Sequence, residues 1–242
     1  MTSAETLKKR YDVNGHKISI VFDEDGTATP RDVAVSELVV AGWTGRDPAA
    51  VEKHIAELEK LGVRRPATTP IFYRVAASRL TVSDQVQASG TSSSGEIEFV
   101  LLQSSGRLWV GVGSDHTDRE VETYGVTVSK QMCDKPIAPT FWLFDTVAPH
   151  WDKLQLRAHI VERGRSVLYQ EGSVAAMLDP RALIAKYAPG GPLREGTLMF
   201  CGTLSAKGGV RSSPRFSMEL EDPVLGRTIS HRYDIQNLPI LG

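Results

Sequence analysis

Ser94–Leu102 reads SGEIEFVLL. A glycine precedes two glutamates one residue apart, and then the chain turns wholly apolar. In an extended strand, residues i and i+2 project to the same face. Glu96 and Glu98 therefore stand side by side at the head of a strand whose remainder reads as buried. Two neighbouring carboxylates repel. Either that end of the strand is a solvated edge, or a positive charge, such as a metal ion, sits between them.

Outward from this strand the chain is built of similar short runs. HKISIVF (His16–Phe22), ELVVAG (Glu37–Gly42), IFYRVA, LWVGVGS, GVTVSK, LQLRAHIVERG, SVLYQEGSV, GTLMFCGT, RFSMELED and RTISHRYDI all read as strands. Turns of Gly, Ser, Asp and Pro separate them. Two helices interrupt the pattern, each opened by Asp-Pro, with Asp as the cap and Pro as the first helical residue. The first begins at Asp47 and places Val51, Ile55, Leu58 and Leu61 at helical spacing, with Gly62 as its stop. The second spans Asp179–Tyr187. The expected class is mostly β with a few helices (α+β). A small N-terminal β segment, residues 1–36, precedes the main domain, residues 37–242.

Composition narrows the function. The chain has 242 residues, 41% hydrophobic and 24% charged, with a net charge of −1. That is ordinary for a soluble globular domain. No basic block favours nucleic acid or an anionic membrane as a partner. No apolar run approaches the ~20 residues of a membrane span. The first residues, MTSAETLKKRYDV, lack the apolar centre of a signal peptide. The two cysteines, Cys133 and Cys201, make no disulfide framework. A cytoplasmic protein is the expectation.

Several other residues carry candidate chemistry. Asp115, in VGSDHTDRE, closes a strand and would complete a three-carboxylate set suited to a hard cation; it also reads as an ordinary turn acid. Lys130 ends GVTVSK. There it either snorkels to water or sits desolvated beside a metal and pairs with a substrate oxyanion. His54 and Glu57 lie at i and i+3 on the first helix. They read as an exposed pair, or as a general base oriented by a carboxylate. Gly202-Thr203 ends an apolar strand, as a plain β-turn or as a carboxylate-binding corner. His116, beside Asp115, points the other way on a strand and reads as structural.

The order of these pieces resembles the fumarylacetoacetate hydrolase (FAH) superfamily. HIAELEKLGVRRPATTPIF (His54–Phe72) fits its helical HxxE and the proline turn that follows. EIEFVLL fits its ExE strand, and SDHTDRE (Ser114–Glu120) its D-x-T-x-R strand end. SKQMCDKPIAPTFW (Ser129–Trp142) fits its lysine segment, and EGTLMFCGTLSAKGG (Glu195–Gly209) its late GT segment. The match spans roughly residues 37–210. It is nearest to a bacterial branch, the DUF2848-like proteins, in which GSDHTDRE and CGTL are typical.

The resemblance implies a mixed β-sandwich roll and a Mg²⁺ or Mn²⁺ held by Glu96, Glu98 and Asp115. It implies a 2-oxo acid or 1,3-dicarbonyl substrate and a metal-stabilised enolate, with C–C hydrolysis of the acylpyruvate type or decarboxylation as the reaction. Lys130 would pair with the oxyanion and Arg119 with the substrate carboxylate. Gly202 and Thr203 would hold the substrate's other end, and His54 with Glu57 would activate water. A homodimer is expected. An isomerase or tautomerase, a sugar-acid dehydratase, or a non-catalytic binding module on the same scaffold are the alternatives. The chain departs from the family pattern at GWTGRDPAAVEKH, where Trp43 and Arg46 are candidates to line the pocket. It departs again at Gln131-Met132-Cys133 and at Leu204.

Overall fold

The computed structural model describes residues 15–24, 26–60 and 65–241; the side chains of His54, Glu57, Leu58 and Lys60 lie outside that description. In chain order the elements are β1 (His16–Glu24), β2 (Thr27–Val35), β3 (Glu37–Gly42), α1 (Pro48–Lys60), β4 (Ile71–Val75), β5 (Leu80–Thr81), β6 (Gln85–Ser89) and β7 (Ser93–Ser94). Then come β8 (Ile97–Ser104), β9 (Arg107–Ser114), β10 (Thr117–Asp118), α2 (Arg119–Tyr124), α3 (Val126–Met132), β11 (Lys135–Pro136), β12 (Thr140–Leu143) and α4 (Phe144–Val147). The chain ends with β13 (Gln155–Glu162), β14 (Arg165–Ser173), α5 (Pro180–Tyr187), β15 (Thr197–Thr203), β16 (Arg215–Asp222) and β17 (Arg227–Leu238).

Eight strands form one curled mixed sheet in the order β2-β1-β12-β9-β8-β15-β3-β4. Five form a second sheet, β14-β13-β16-β17-β6. The class expected from sequence, mostly β with a few helices, is the class observed. The β1–β2 hairpin joins the large sheet, because β1 runs parallel to β12 with Val21 opposite Thr140.

β8 lies near the middle of the large sheet and is buried along its whole length. Ile97, Phe99 and Leu101 enter the layer between the two sheets, where Leu156, Phe216 and Met218 meet them. Val100 and Leu102 face the opposite side of the sheet, with Ile20, Phe141 and Phe200. A strand apolar on both faces must lie between two layers, which is why EIEFVLL loses its alternation after the glutamates. On that opposite side β9 contributes glycines. A Cβ on Gly113 would stand 2.6 Å from the Phe200 ring, and one on Gly111 would stand 2.9 Å from Phe141. The two phenylalanines occupy that space.

The Asp-Pro signals mark both helices. Asp47 accepts from Ala49 N–H at 2.9 Å, and Asp179 accepts from Arg181 N–H at 2.9 Å. Leu61 and Gly62, expected to end the first helix, lie outside the described residues. The runs RFSMELED and RTISHRYDI fold as β16 and β17 and pair as an antiparallel hairpin.

One expected strand is a helix. GVTVSK, whose Val-Thr-Val reads with period two, folds as α3. Just before it, the Asp118 carboxylate accepts from Glu120 and Val121 N–H and starts α2. α3 then follows across the extended Gly125. A strand would have turned Val128 inward on the face of Lys130. The helix instead leaves Val128 half exposed and buries Ser129 and Lys130. Tertiary placement of the lysine outweighs the β preference of the valines.

Candidate metal centre

β8 and β9 are antiparallel neighbours with Ile97 opposite Ser114. That register brings the residue before β8, Glu96, beside the residue after β9, Asp115; Asp115 N–H donates to Glu96 carbonyl oxygen at 2.9 Å. Glu98 stands one step further along the same face. One carboxylate oxygen from each of Glu96, Glu98 and Asp115 lies within 4.8 Å of the others. This convergence joins the two sequence segments, EIEFVLL and SDHTDRE, that carry the acids.

The three acids have different surroundings. Asp115 is completely buried. Lys130 Nζ donates to its Oδ2, and Lys135 Nζ lies 3.4 Å from Oδ1. Burial alone would raise the Asp115 pKa, but the two ammonium groups outweigh it and hold the carboxyl below its ordinary value. Glu96 is partly buried and pairs with Arg119 at 3.3 Å. Burial raises its pKa, against the pull of Arg119 and Lys130. Glu98 is 3% exposed. Its Oε2 accepts from Gly202 N–H at 2.7 Å, and among the described residues it has no ion-pair partner. Burial, then the Asp115 charge, push its carboxyl well above the ordinary range.

That donor set fits a hard divalent cation. Buried carboxylates demand positive charge, and Glu98 is the one left without a cation in contact among the described residues. Three carboxylates leave room for substrate oxygens to complete the shell.

The cations are placed with equal definition. Lys130 is buried, 6% exposed, on α3, with its Nζ 5.8 Å from the Tyr73 ring centroid. Burial lowers its pKa, but Asp115 and Glu96 outweigh this and keep it protonated. Arg119 opens α2. It donates from Nε to Ser94 Oγ at 2.7 Å and pairs with Glu122 at 3.0 Å as well as with Glu96. Thr203 Oγ1 donates to Ile97 carbonyl oxygen at 2.7 Å. Gly202 N–H is committed to Glu98, so the GT corner does bind a carboxylate, one belonging to the protein. α1 carries His54 and Glu57 three residues apart, with side chains outside the described residues. Arg46 grips Asp152 through two bonds of 2.8 Å.

His116, expected on a strand, lies in the short link between β9 and β10, and its side chain bonds within the protein. Its Nδ1 meets Tyr233 hydroxyl at 3.0 Å and its Nε2 meets Ser93 Oγ at 2.9 Å. Burial pushes its pKa down to about 3. Both cysteines are buried and free. Lys135 escaped the sequence reading. It is fully buried and donates to His116 carbonyl oxygen at 2.6 Å and to Cys133 carbonyl oxygen at 3.2 Å. Only its position five residues beyond Lys130 hinted at a shared site.

A family model described as "Protein of unknown function (DUF2848)" matches residues 41–233. The chain belongs to the DUF2848 family. The matched span of this DUF2848 protein holds every residue of the centre. Comparison with curated proteins returns no match. Solved structures share the fold. A yeast protein of the fumarylacetoacetate hydrolase family is 17% identical, with 84% of this chain and 94% of that one covered, at a TM-score of 0.59. A 2-keto-3-deoxy-D-arabinonate dehydratase complexed with magnesium and 2,5-dioxopentanoate is 15% identical, with coverage of 98% and 83%, at 0.57. A 4-oxalocrotonate decarboxylase from Pseudomonas putida G7, complexed with calcium and acetate, is 16% identical, with coverage of 82% and 76%, at 0.52. The architecture of this DUF2848 protein is thus that of the FAH superfamily. No helix among the described residues is long and apolar enough to cross a membrane.

Proposed function

We propose that this protein is a divalent-metal-dependent enzyme acting on a 2-oxo acid or a 1,3-dicarbonyl compound, with C–C bond hydrolysis or decarboxylation as its reaction. The observation that carries the reading is the convergence of Glu96, Glu98 and Asp115 within 4.8 Å beside a buried lysine. Glu96, Glu98 and Asp115 would hold a Mg²⁺ or Mn²⁺ ion. When bound, the ion supplies Lewis acidity to a substrate 2-oxo group and charge to bind its carboxylate.

The chain's own groups then divide the work. Lys130 is a buried, protonated ammonium, a fixed charge that would act strongly on negative charge developing at the 2-oxo oxygen. Arg119, tied to Glu96 and Glu122, stands at the exposed side of the acids and suits a substrate carboxylate. In hydrolysis, His54 with Glu57 would take a proton from water as the oxygen adds to the acyl carbonyl. The C–C bond breaks and the departing carbon regains a proton. Decarboxylation needs no attacking water.

Dehydration is the second reading. One fold neighbour is a dehydratase of a 2-keto-3-deoxy sugar acid complexed with magnesium. The proposed assembly is a homodimer.

Thermal melts of EDTA-stripped protein test the reading, with Mg²⁺ or Mn²⁺ added and then oxalate. A ligand bound only by the folded state at 100 times its Kd adds about 2.7 kcal/mol. The expected result is a metal-dependent rise and a further rise with oxalate only when metal is present. A panel of 2-oxo acids then separates pyruvate release, CO₂ release and water loss. No shift with metal or oxalate would move the chain to the non-catalytic class.

A further inference from the structure

The two glutamates lie on the large sheet, yet the residue between them is held from the small one. Ile97 N–H donates to Gln170 Oε1 at 3.0 Å. The amide nitrogen of the same side chain donates to Thr203 Oγ1 at 2.8 Å and to Leu204 carbonyl oxygen. Thr203 in turn donates to Ile97 carbonyl oxygen. Gln170 therefore bridges the backbone joining Glu96 to Glu98 with the corner that follows Gly202, the donor to Glu98. Its amide has one assignment that satisfies all three partners, because Ile97 N–H needs an acceptor and Leu204 carbonyl needs a donor.

Two irregularities meet at this point. Along β13–β14 the pairing steps from Ala158–Gln170 to His159–Leu168, so Tyr169 is an extra residue on β14. A regular strand would send Tyr169 and Gln170 to opposite faces. Here both are buried, at 0% and 1% exposure. Across from them, β8–β15 loses register between Phe200 and Thr203. Bulges re-aim side chains and leave backbone groups without ladder partners. The bulge on β14 supplies an inward amide, and the break on β15 leaves groups for that amide to satisfy.

We infer that Gln170 is a positioning residue of the metal centre, holding the Glu96–Glu98 segment and the Gly202 corner in the geometry that converges the carboxylates. This rests on the proposed metal-dependent function. Its side-chain hydrogen bonds go to Ile97, Thr203 and Leu204, and none among the described residues goes to the three carboxylates, so it acts through those neighbours. Groups behind metal ligands commonly govern affinity by about 10–100-fold.

The test is Mn²⁺ binding to EDTA-stripped protein, followed by the loss of the free-ion electron paramagnetic resonance signal, with melts of the metal-free forms alongside. Gln170→Leu should weaken Mn²⁺ binding at least tenfold and alter the bound-ion line shape. Thr203→Val, which removes the hydroxyl linking Gln170 to Ile97, should weaken it in the same direction. A merely structural role moves the metal-free melt and leaves affinity and line shape alone. The inference is overturned if Gln170→Leu binds within twofold of wild type with an unchanged line shape. If that variant does not fold, Thr203→Val decides at the same threshold. Wild-type protein that binds no Mn²⁺ sinks the metal reading and this inference with it; wild-type binding with unaffected variants sinks the inference alone.

Discussion

Lys130 on α3 donates its ammonium to Oδ2 of Asp115, the residue that follows β9, and both side chains are buried. The lysine thus occupies an oxygen of the most deeply buried acid in the metal centre. An ion approaching Asp115 meets a like charge there. Unit charges about 4 Å apart interact by about 4 kcal/mol at an effective dielectric of 20. Lys130→Met should therefore tighten Mn²⁺ binding by about tenfold or more, equivalent to about 1.4 kcal/mol, while abolishing turnover. Calorimetric titration of the variant against wild type reads the first effect and the 2-oxo acid panel the second. Weaker binding in the variant would mean that the lysine orders Asp115 more than it repels the ion.

Glu98→Gln should separate the cost of a buried carboxylate from its use. The glutamine oxygen still accepts from Gly202 N–H, so the corner stays bonded. The folded pKa of Glu98 is raised above its unfolded value, chiefly by burial. Such a group contributes stability below the unfolded pKa, and that contribution is lost as pH rises through the folded pKa. At neutral pH without metal, keeping a carboxyl group there costs stability, whether it ionises in the buried site or takes up a proton on folding. The variant should melt higher than wild type in EDTA at pH 7, lose that advantage toward pH 4, and gain nothing from Mg²⁺ or Mn²⁺. A lower melt in EDTA would show that the carboxylate's remaining interactions outweigh its burial.

What the sequence made legible follows from range. Strands such as ELVVAG and RFSMELED announce themselves through residues a few places apart, and they fold at Glu37–Gly42 and Arg215–Asp222. The Asp-Pro helix starts are equally local. The carboxylates were legible because ExE on a strand and an acid at a strand end need only one antiparallel pairing to meet. α3 was not, because its valines favour a strand and only the burial of Lys130 against Asp115 makes the helix the better solution. Lys135 and Tyr233 were not either. Their roles depend on which groups remote in sequence the fold sets before them: the His116 carbonyl oxygen for Lys135, and the Ser114 hydroxyl, 119 residues away, for Tyr233.

Gly113→Ala tests the packing of β9 against Phe200 and Ile137, on the face of the large sheet turned away from the small one. The new methyl would meet the Phe200 ring at 2.6 Å and Ile137 at 2.9 Å. Both neighbours are fully buried, and overpacking of this kind costs about 1–3 kcal/mol. Urea unfolding should show a lower midpoint with an unchanged slope. Gly125→Ala is the control. Its backbone is extended and its added carbon meets Val128 only at 3.8 Å, so its stability should stay within about 0.5 kcal/mol of wild type.

His116 sets an acid limit on the same scaffold. Between Tyr233 and Ser93 it is buried and neutral, with its pKa lowered to about 3 from an ordinary 6.5 by burial first and then by Lys135 and Arg119. Between those two values the unfolded chain binds a proton that the folded chain refuses. Stability therefore rises with pH through this window. The contribution is complete above about pH 6.5 and is lost as pH falls toward 3. Glu96 and Glu98, with raised pKa values, oppose that slope, so the histidine must be isolated by difference. His116→Gln keeps polar atoms near both hydroxyls and removes the titration. It should be less stable than wild type at pH 7.5, where the ring's packing on Tyr233 at 5.7 Å is lost. The gap should narrow steadily from pH 6.5 to pH 4, measured by urea unfolding in EDTA throughout. A gap constant with pH would mean that the ring takes up its proton in the folded state, which the buried hydroxyl partners and the Lys135 ammonium argue against.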